Sequence, residues 1–267
     1  MLVLTVLSPA KRLDFESAAR TLPVTDPTLA DEAAGLMAVS KRLKPSDLRD
    51  LMGISESLAE LNHARFQDMS PAGDPARSRP AALAFKGDVY LGLDADSLSD
   101  ADLGWAQERI GILSGLYGIL RPLDLIQPYR LEMGTRLENP RGTNLYSYWG
   151  TRVSEEVHAR LSDHAHPVVV NLASNEYFKV LQRGKLTSTV ITPIFKEHHK
   201  GKLKVISFNA KRARGLMARW IVERRIEDPS KLTEFNIDRF KFQPELSDAT
   251  NFVFTRDFIA AGAKASS

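Results

Sequence analysis

The chain has 267 residues, no cysteine and a formal net charge of +3. The missing cysteine excludes disulfides, thiolate catalysis, iron–sulfur ligation and cysteine-based zinc sites, so any chemistry comes from oxygen and nitrogen groups. The length lies near the upper edge of what one hydrophobic core organises, and no apolar run approaches the roughly 20 residues needed to cross a bilayer.

Leu2-Val3-Leu4-Thr5-Val6-Leu7 reads as a buried strand that stops at Ser8-Pro9. It lacks the basic flank that opens a signal peptide, so the expected location is the cytoplasm, with no membrane partner. Leu29, Ala33, Leu36 and Met37 at helical spacing predict a helix over residues 28–42, and a second follows the Lys44-Pro45 break. Ser57 with Glu60 has the form of a capping box opening a third. Residues 69–80, rich in Pro, Gly, Ser and Asp, predict an exposed loop, and residues 81–93 read as strand, turn, strand, bent at Gly87-Asp88. Ser99, with Asp100 and Asp102 behind it, begins another helix.

Trp149, Val153, Val157 and Leu161 repeat at i, i+4, and strands are expected at 168–172, 189–195, 203–209 and 251–255. The strongest helix covers 210–226, with Leu216, Met217, Trp220 and Ile221 as its apolar stripe. The expected class is α+β: a single compact domain over 1–258, a mixed β-sheet covered by helices, and a flexible tail at 259–267. Monomer is the favoured state.

Charge is regional. Between Lys179 and Arg225 there are thirteen lysines and arginines against two glutamates, so the rest of the chain is net acidic. Such a stretch is either a solvated face or the footprint of an anionic partner. No glycine fingerprint follows a strand, and neither a Walker A nor an H-E-x-x-H sequence occurs, so no cofactor is expected. The pairs His164/His166 and His198/His199 come without carboxylates at ligand spacing, so no metal is expected either.

Five polar segments could carry chemistry. Ser8, Lys11 and Arg12 follow the first strand, where open α/β sheets bind ligands. Lys86 and Asp88 flank a glycine bend. Residues 113–134 are the densest: a helix running into Leu113-Ser114-Gly115-Leu116-Tyr117-Gly118 resembles the hairpin of helix-hairpin-helix DNA-binding motifs, whose backbone N–H groups meet a phosphate, and Arg121, Tyr129, Arg130 and Glu132 follow in a proline-stiffened stretch. Asn171 to Phe178 again follows a strand; Glu176 is a helix-capping residue or, if buried, a general acid or base. Last come Lys211, Arg212, Arg214 and Arg219 on the basic helix, with Lys196 approaching from the strand before.

Taken together, the opening S-P-A-K, L-A-F-K-G-D-V-Y, L-S-G-L-Y-G-I-L-R-P-L-D-L-I-Q-P-Y-R-L-E-M-G, N-L-A-S-N-E-Y-F and A-K-R-A-R-G-L-M-A-R resemble the YaaA family of bacterial peroxide-stress proteins over nearly the whole chain. Arg12 stands where many relatives place Thr. The resemblance implies a cytoplasmic DNA-binding protein, induced by hydrogen peroxide, that limits free intracellular iron, with a helix-hairpin-helix element beside a positively charged cleft. It supplies no catalytic mechanism. Two classes stay open: a binder of duplex or structured DNA, and also of RNA, or an enzyme acting on a nucleotide, nucleobase or small phosphorylated substrate, with Asp88, Glu132 and Glu176 as its catalytic candidates.

Overall fold

The computed structural model describes residues 2–17, 20–162 and 167–258. His164, His166 and the expected tail at 259–267 lie outside them. In chain order the strands are β1 (Leu2–Leu7), β2 (Arg12–Leu13), β3 (Arg79–Pro80), β4 (Phe85–Lys86), β5 (Ile110–Ser114), β6 (Gly118–Leu120), β7 (Leu125–Ile126), β8 (Pro167–Leu172), β9 (Thr189–His199), β10 (Lys202–Lys204), β11 (Lys241–Phe242) and β12 (Asn251–Asp257). The helices are α1 (Ala30–Ser40), α2 (Pro45–Met52), α3 (Glu56–Asp68), α4 (Ala81–Ala84), α5 (Asp88–Leu93), α6 (Asp100–Gln107), α7 (Leu145–Trp149), α8 (Arg152–Leu161), α9 (Asn175–Arg183) and α10 (Ser207–Glu223).

The central sheet is mixed but mostly parallel. Its order is β11-β12-β9-β8-β1-β5-β6, with β10 beside the far end of β9. The five strands from β12 to β5 run parallel, and β11, β6 and β10 are antiparallel additions. Val3, Leu4, Val6 and Leu7 are fully buried, as are Ile112, Leu113, Val169 and Val170. Strands covered on both faces are expected to be near-continuous apolar runs, and these are, with the buried Thr5, Ser114 and Asn171 as polar exceptions. Around the sheet, α10 packs on α5, α6, β8 and β9, while α9 packs on α7, α8 and β5.

Topology places the site. From β1 the chain goes to β5 on one side, and from β8 it goes to β9 on the other, so the sheet reverses its winding between β1 and β8. Ligands of open α/β sheets sit outside the carboxyl ends of strands at such a point.

Several local expectations are corrected. Residues 81–93 form α4, β4 and α5 instead of two strands: Ala81 and Ala82 give their N–H groups to the Asp124 and Pro122 carbonyls, and a helix is needed at 88–93 to lie against α10. The strand expected at 203–209 ends at Lys204, and α10 begins already at Ser207. Ser55, not Ser57, caps α3 by accepting from the Leu58 N–H. Within 69–80, Met69, Arg79 and Pro80 are buried, because β3 pairs with β7.

Residues 110–120, expected to enter a hairpin from a helix, are strand, turn and strand, β5 folding back on β6. The run is buried on every side, and an apolar run without a polar face carries no period to tell the two apart. A helical hairpin does exist, α2 and α3 joined across Gly53 in left-handed conformation (φ 60°), and no residue of it lines the cleft described next.

Candidate functional site

A concavity of about 540 Å³ opens at the carboxyl ends of β1 and β8. Three segments of the first half meet residues of α9 and α10 there. After β1 the chain contributes Ser8, Lys11 and Arg12; β4 and the start of α5 contribute Lys86, Asp88 and Tyr90; the proline-bounded stretch contributes Tyr129, Arg130 and Glu132. Ser174, Glu176 and Tyr177 come from the start of α9, and Lys211 and Arg214 from α10. Six cationic side chains therefore face three carboxylates, an excess that favours a bound anion.

Hydrogen bonds fix the floor. The Ser174 N–H donates to Ser8 Oγ at 2.8 Å, tying the two strand ends at the switch point. The Tyr90 hydroxyl donates to the Ser8 carbonyl at 3.1 Å, and the hydroxyls of Ser114 and Tyr129 lie 2.6 Å apart. Burial pushes the phenols of Tyr90, Tyr129 and Tyr177 well above their ordinary range, so all three are neutral at physiological pH. The neighbouring phenol of Tyr129 and the carboxylates Glu176 and Glu132 push Tyr177 further the same way.

On the walls, Glu132 Oε1 accepts from Lys11 Nζ at 3.0 Å and from Arg130 at 3.2 Å. Glu176 is exposed, and its Oε1 accepts the Gly134 N–H at 2.9 Å, joining α9 to the proline-bounded stretch. Lys86 does not pair with Asp88 across the glycine. It reaches Asp96 at 2.7 Å and Asp14 at 3.7 Å. Asp14 itself is held well below the usual carboxylate range by the Ser17 hydroxyl and N–H. Arg12 and Lys211 are exposed and carry no ion pair among the described residues. Arg214 is half-buried, also without a partner, and burial lowers its guanidinium pKa.

Other candidates lie elsewhere. Gly115, Tyr117 and Gly118 are buried: the Gly115 backbone abuts the Leu131 carbonyl, its own carbonyl accepts the Trp149 indole N–H at 3.0 Å, and the Tyr117 hydroxyl accepts from the Gln127 N–H. The turn's backbone is packed against protein and offers no N–H to a phosphate; Tyr117 is likewise too enclosed to stack on a base. Arg121 closes its own turn on Asp124 at 3.0 Å and on the Asp26 carbonyl. Lys196 sits on β9 opposite Thr255 and lines no part of the cleft. Arg212 is exposed beside the cleft without lining it, and Arg219 is spent on the Asp94 carbonyl, Ser97 and Glu223. His198 and His199 lie on β9, and among the described residues no group of three or more His, Cys, Asp or Glu could hold a metal ion.

Tyr90, Ser174 and Tyr177 fall inside the polar segments read from the sequence but are not singled out there as site residues; Ser174 stands two residues past the end of β8. Sequence reasoning missed the buried ion pair of Glu197 with Arg256 at 2.8 Å, whose partners stand 59 residues apart.

Fold and site together define a mixed α/β protein with a concavity, lined by both cationic and acidic side chains, at the switch point of its parallel strands. The chain belongs to the family described as peroxide stress protein YaaA, whose pattern it matches over residues 3–246. It is also 50% identical over 257 residues to a protein of Laribacter hongkongensis (strain HLHK9) described as a UPF0246 protein, covering 96% of this chain and 100% of that one. No helix among the described residues is long and apolar enough to cross a membrane.

Proposed function

We propose that this chain serves the peroxide stress response by binding nucleic acid, with duplex or structured DNA as the main partner and RNA open to the same chemistry. The observation that carries the reading is the gathering of Lys11, Arg12, Lys86, Arg130, Lys211 and Arg214 around one concavity from segments far apart in the chain. Such a cluster attracts phosphates and releases their counterions on binding. Protection of DNA in the cytoplasm and limitation of free iron are the roles that the family resemblance implies, and both belong to this proposal. It assigns the chain no iron site, so the effect on iron is indirect.

The test is a titration of duplex, single-stranded and structured DNA and RNA at several salt concentrations, repeated with the Lys11→Gln/Lys211→Gln variant. The logarithmic salt slope is expected to fall by about 0.9 for each phosphate that the variant no longer neutralises. A folded variant with unchanged affinity and slope would overturn the reading.

A second reading is an enzyme acting on a nucleotide, nucleobase or small phosphorylated substrate. One feature favours it: Glu132 and Glu176 line a concavity alongside three neutral phenols, where phosphate binding alone has no use for carboxylates. Turnover of a phosphorylated substrate that disappears in Glu132→Gln would establish it over simple binding.

A further inference from the structure

A groove of about 820 Å³ lies on the other side of Arg214, between α9, β9 and the segment entering α10. Helix α9 gives one wall, with Asn175, Phe178, Lys179 and Gln182 at i, i+3, i+4 and i+7. Val190, Ile194, Phe195 and Val205 make the apolar side.

Arg214 lines this groove and the polar cleft alike, so the two concavities share a wall. Its guanidinium, half-buried and without hydrogen-bond or ion-pair partner among the described residues, is a partly desolvated charge that an anion would stabilise. No carboxylate lines the groove, and Lys179 adds a second cation. The amides of Asn175 and Gln182 have no hydrogen-bond partner among the described residues, and each offers both donors and an acceptor. Apolar wall, free amides and a cation at the junction match a nucleotide: ring against carbon, base edge against amide, phosphate against guanidinium. A duplex end keeps its bases stacked and paired. Only an unpaired strand can lay one nucleotide in the groove and the next in the cleft.

We propose that cleft and groove together take adjacent nucleotides of one unpaired strand, with the phosphate between them on Arg214. The inference rests on the nucleic-acid reading of the cleft and names the form of nucleic acid it prefers. In the full-length chain, fluorescence anisotropy would compare a blunt DNA hairpin with the same hairpin carrying a three-nucleotide overhang. The overhang is expected to tighten binding at least tenfold.

Val205→Glu and Gln182→Glu, both at exposed positions, place a carboxylate at the groove. Each is expected to abolish the overhang's advantage and leave the blunt affinity within twofold. If wild type binds both probes equally, or the advantage survives both variants, the groove inference falls and the cleft reading stands. If Lys11→Gln/Lys211→Gln leaves blunt binding unchanged, the cleft reading falls and the joint proposal falls with it, even where the groove variants still remove the overhang's advantage. Absence of binding to every probe overturns both.

Discussion

Gly92 of α5 and Gly215 of α10 meet backbone to backbone. A Cβ built on Gly215 would stand 1.8 Å from the Val89 carbonyl oxygen, and one on Gly92 would stand 2.2 Å from the Arg212 oxygen. Neither obstacle is a side chain that could swing away. This close approach presses the start of α5, with Asp88 and Val89, against the turn of α10 that carries Lys211 and Arg214, so two walls of the cleft are held by one pair of glycines.

Gly215→Ala is therefore expected to be destabilising by about 3 kcal/mol, the upper range for overpacking a tight interior. Urea unfolding would measure it. Because α10 must move away from α5 to admit the methyl group, the folded variant should also bind anions more weakly than wild type. Full stability with unchanged binding would mean the helices slide past one another freely.

The buried ion pair gives a second prediction. Arg256 donates to Glu197 and to Asp238, and Glu197 also accepts from Asn209 at 2.8 Å. The group ties β9 and β12 to the first turn of α10. Arg256→Met leaves the Glu197 carboxylate buried without a counter-charge and should cost about 3–5 kcal/mol. Adding Glu197→Leu to that variant should restore part of the stability, since the uncompensated charge is then removed. A double variant worse than the single would show that Glu197 matters for its hydrogen bond to Asn209 instead.

How much of this was legible follows from range. The first strand, the capped start of α6 at Ser99 and the apolar stripe of α10 all depend on neighbours within a turn or two, and all were readable. Lys11, Lys86, Arg130, Glu176 and Lys211 could be singled out because each stands beside a strand end or a chain bend. Residues 81–93 could not be read, because their form depends on partners far along the chain: Ala81 and Ala82 on the Asp124 and Pro122 carbonyls, and Gly92 on Gly215. For the Leu113–Gly118 run, burial on every side erased the period that separates strand from helix. The unpaired state of Arg214 is a fact about what fails to approach it in space, and no spacing encodes that.

Alkaline pH supplies a third prediction. All six tyrosines have phenols pushed above the ordinary 10.0, with burial the largest cause for each, and Tyr117 reaches about 12. A phenol whose folded pKa is raised contributes stability that is complete below the unfolded value and is lost as pH rises through the folded one. Stability should therefore hold up to about pH 10 and fall steeply between 10 and 12. The phenolate absorbance of the native chain should lag that of the chain in denaturant over the same window. Coincident titration curves would contradict the burial of these rings.

The last prediction concerns Glu132, which holds both Lys11 and Arg130 on one carboxylate oxygen. If phosphate binds in this cleft, Glu132 is the internal counter-ion it must displace, and Glu132→Gln releases two cations at once. Lys11 is mostly exposed, with 64% of its side chain accessible, so its pair with Glu132 is worth at most about 1 kcal/mol. Affinity for duplex DNA should then rise by about fivefold, and the logarithmic salt slope should steepen by about 1–2 as the freed cations engage phosphates. Glutamine keeps the shape, but Arg130, whose side chain is 17% exposed and has no other ion pair among the described residues, loses its counter-charge, so urea unfolding should show a modest loss of stability beside the gain in affinity. The enzyme reading predicts the opposite sign for function: binding of a phosphorylated substrate kept or improved, and turnover abolished. Salt-dependent titration and a turnover assay on the same preparation separate the two. Unchanged affinity with an unchanged slope would show that Lys11 and Arg130 do not meet phosphate.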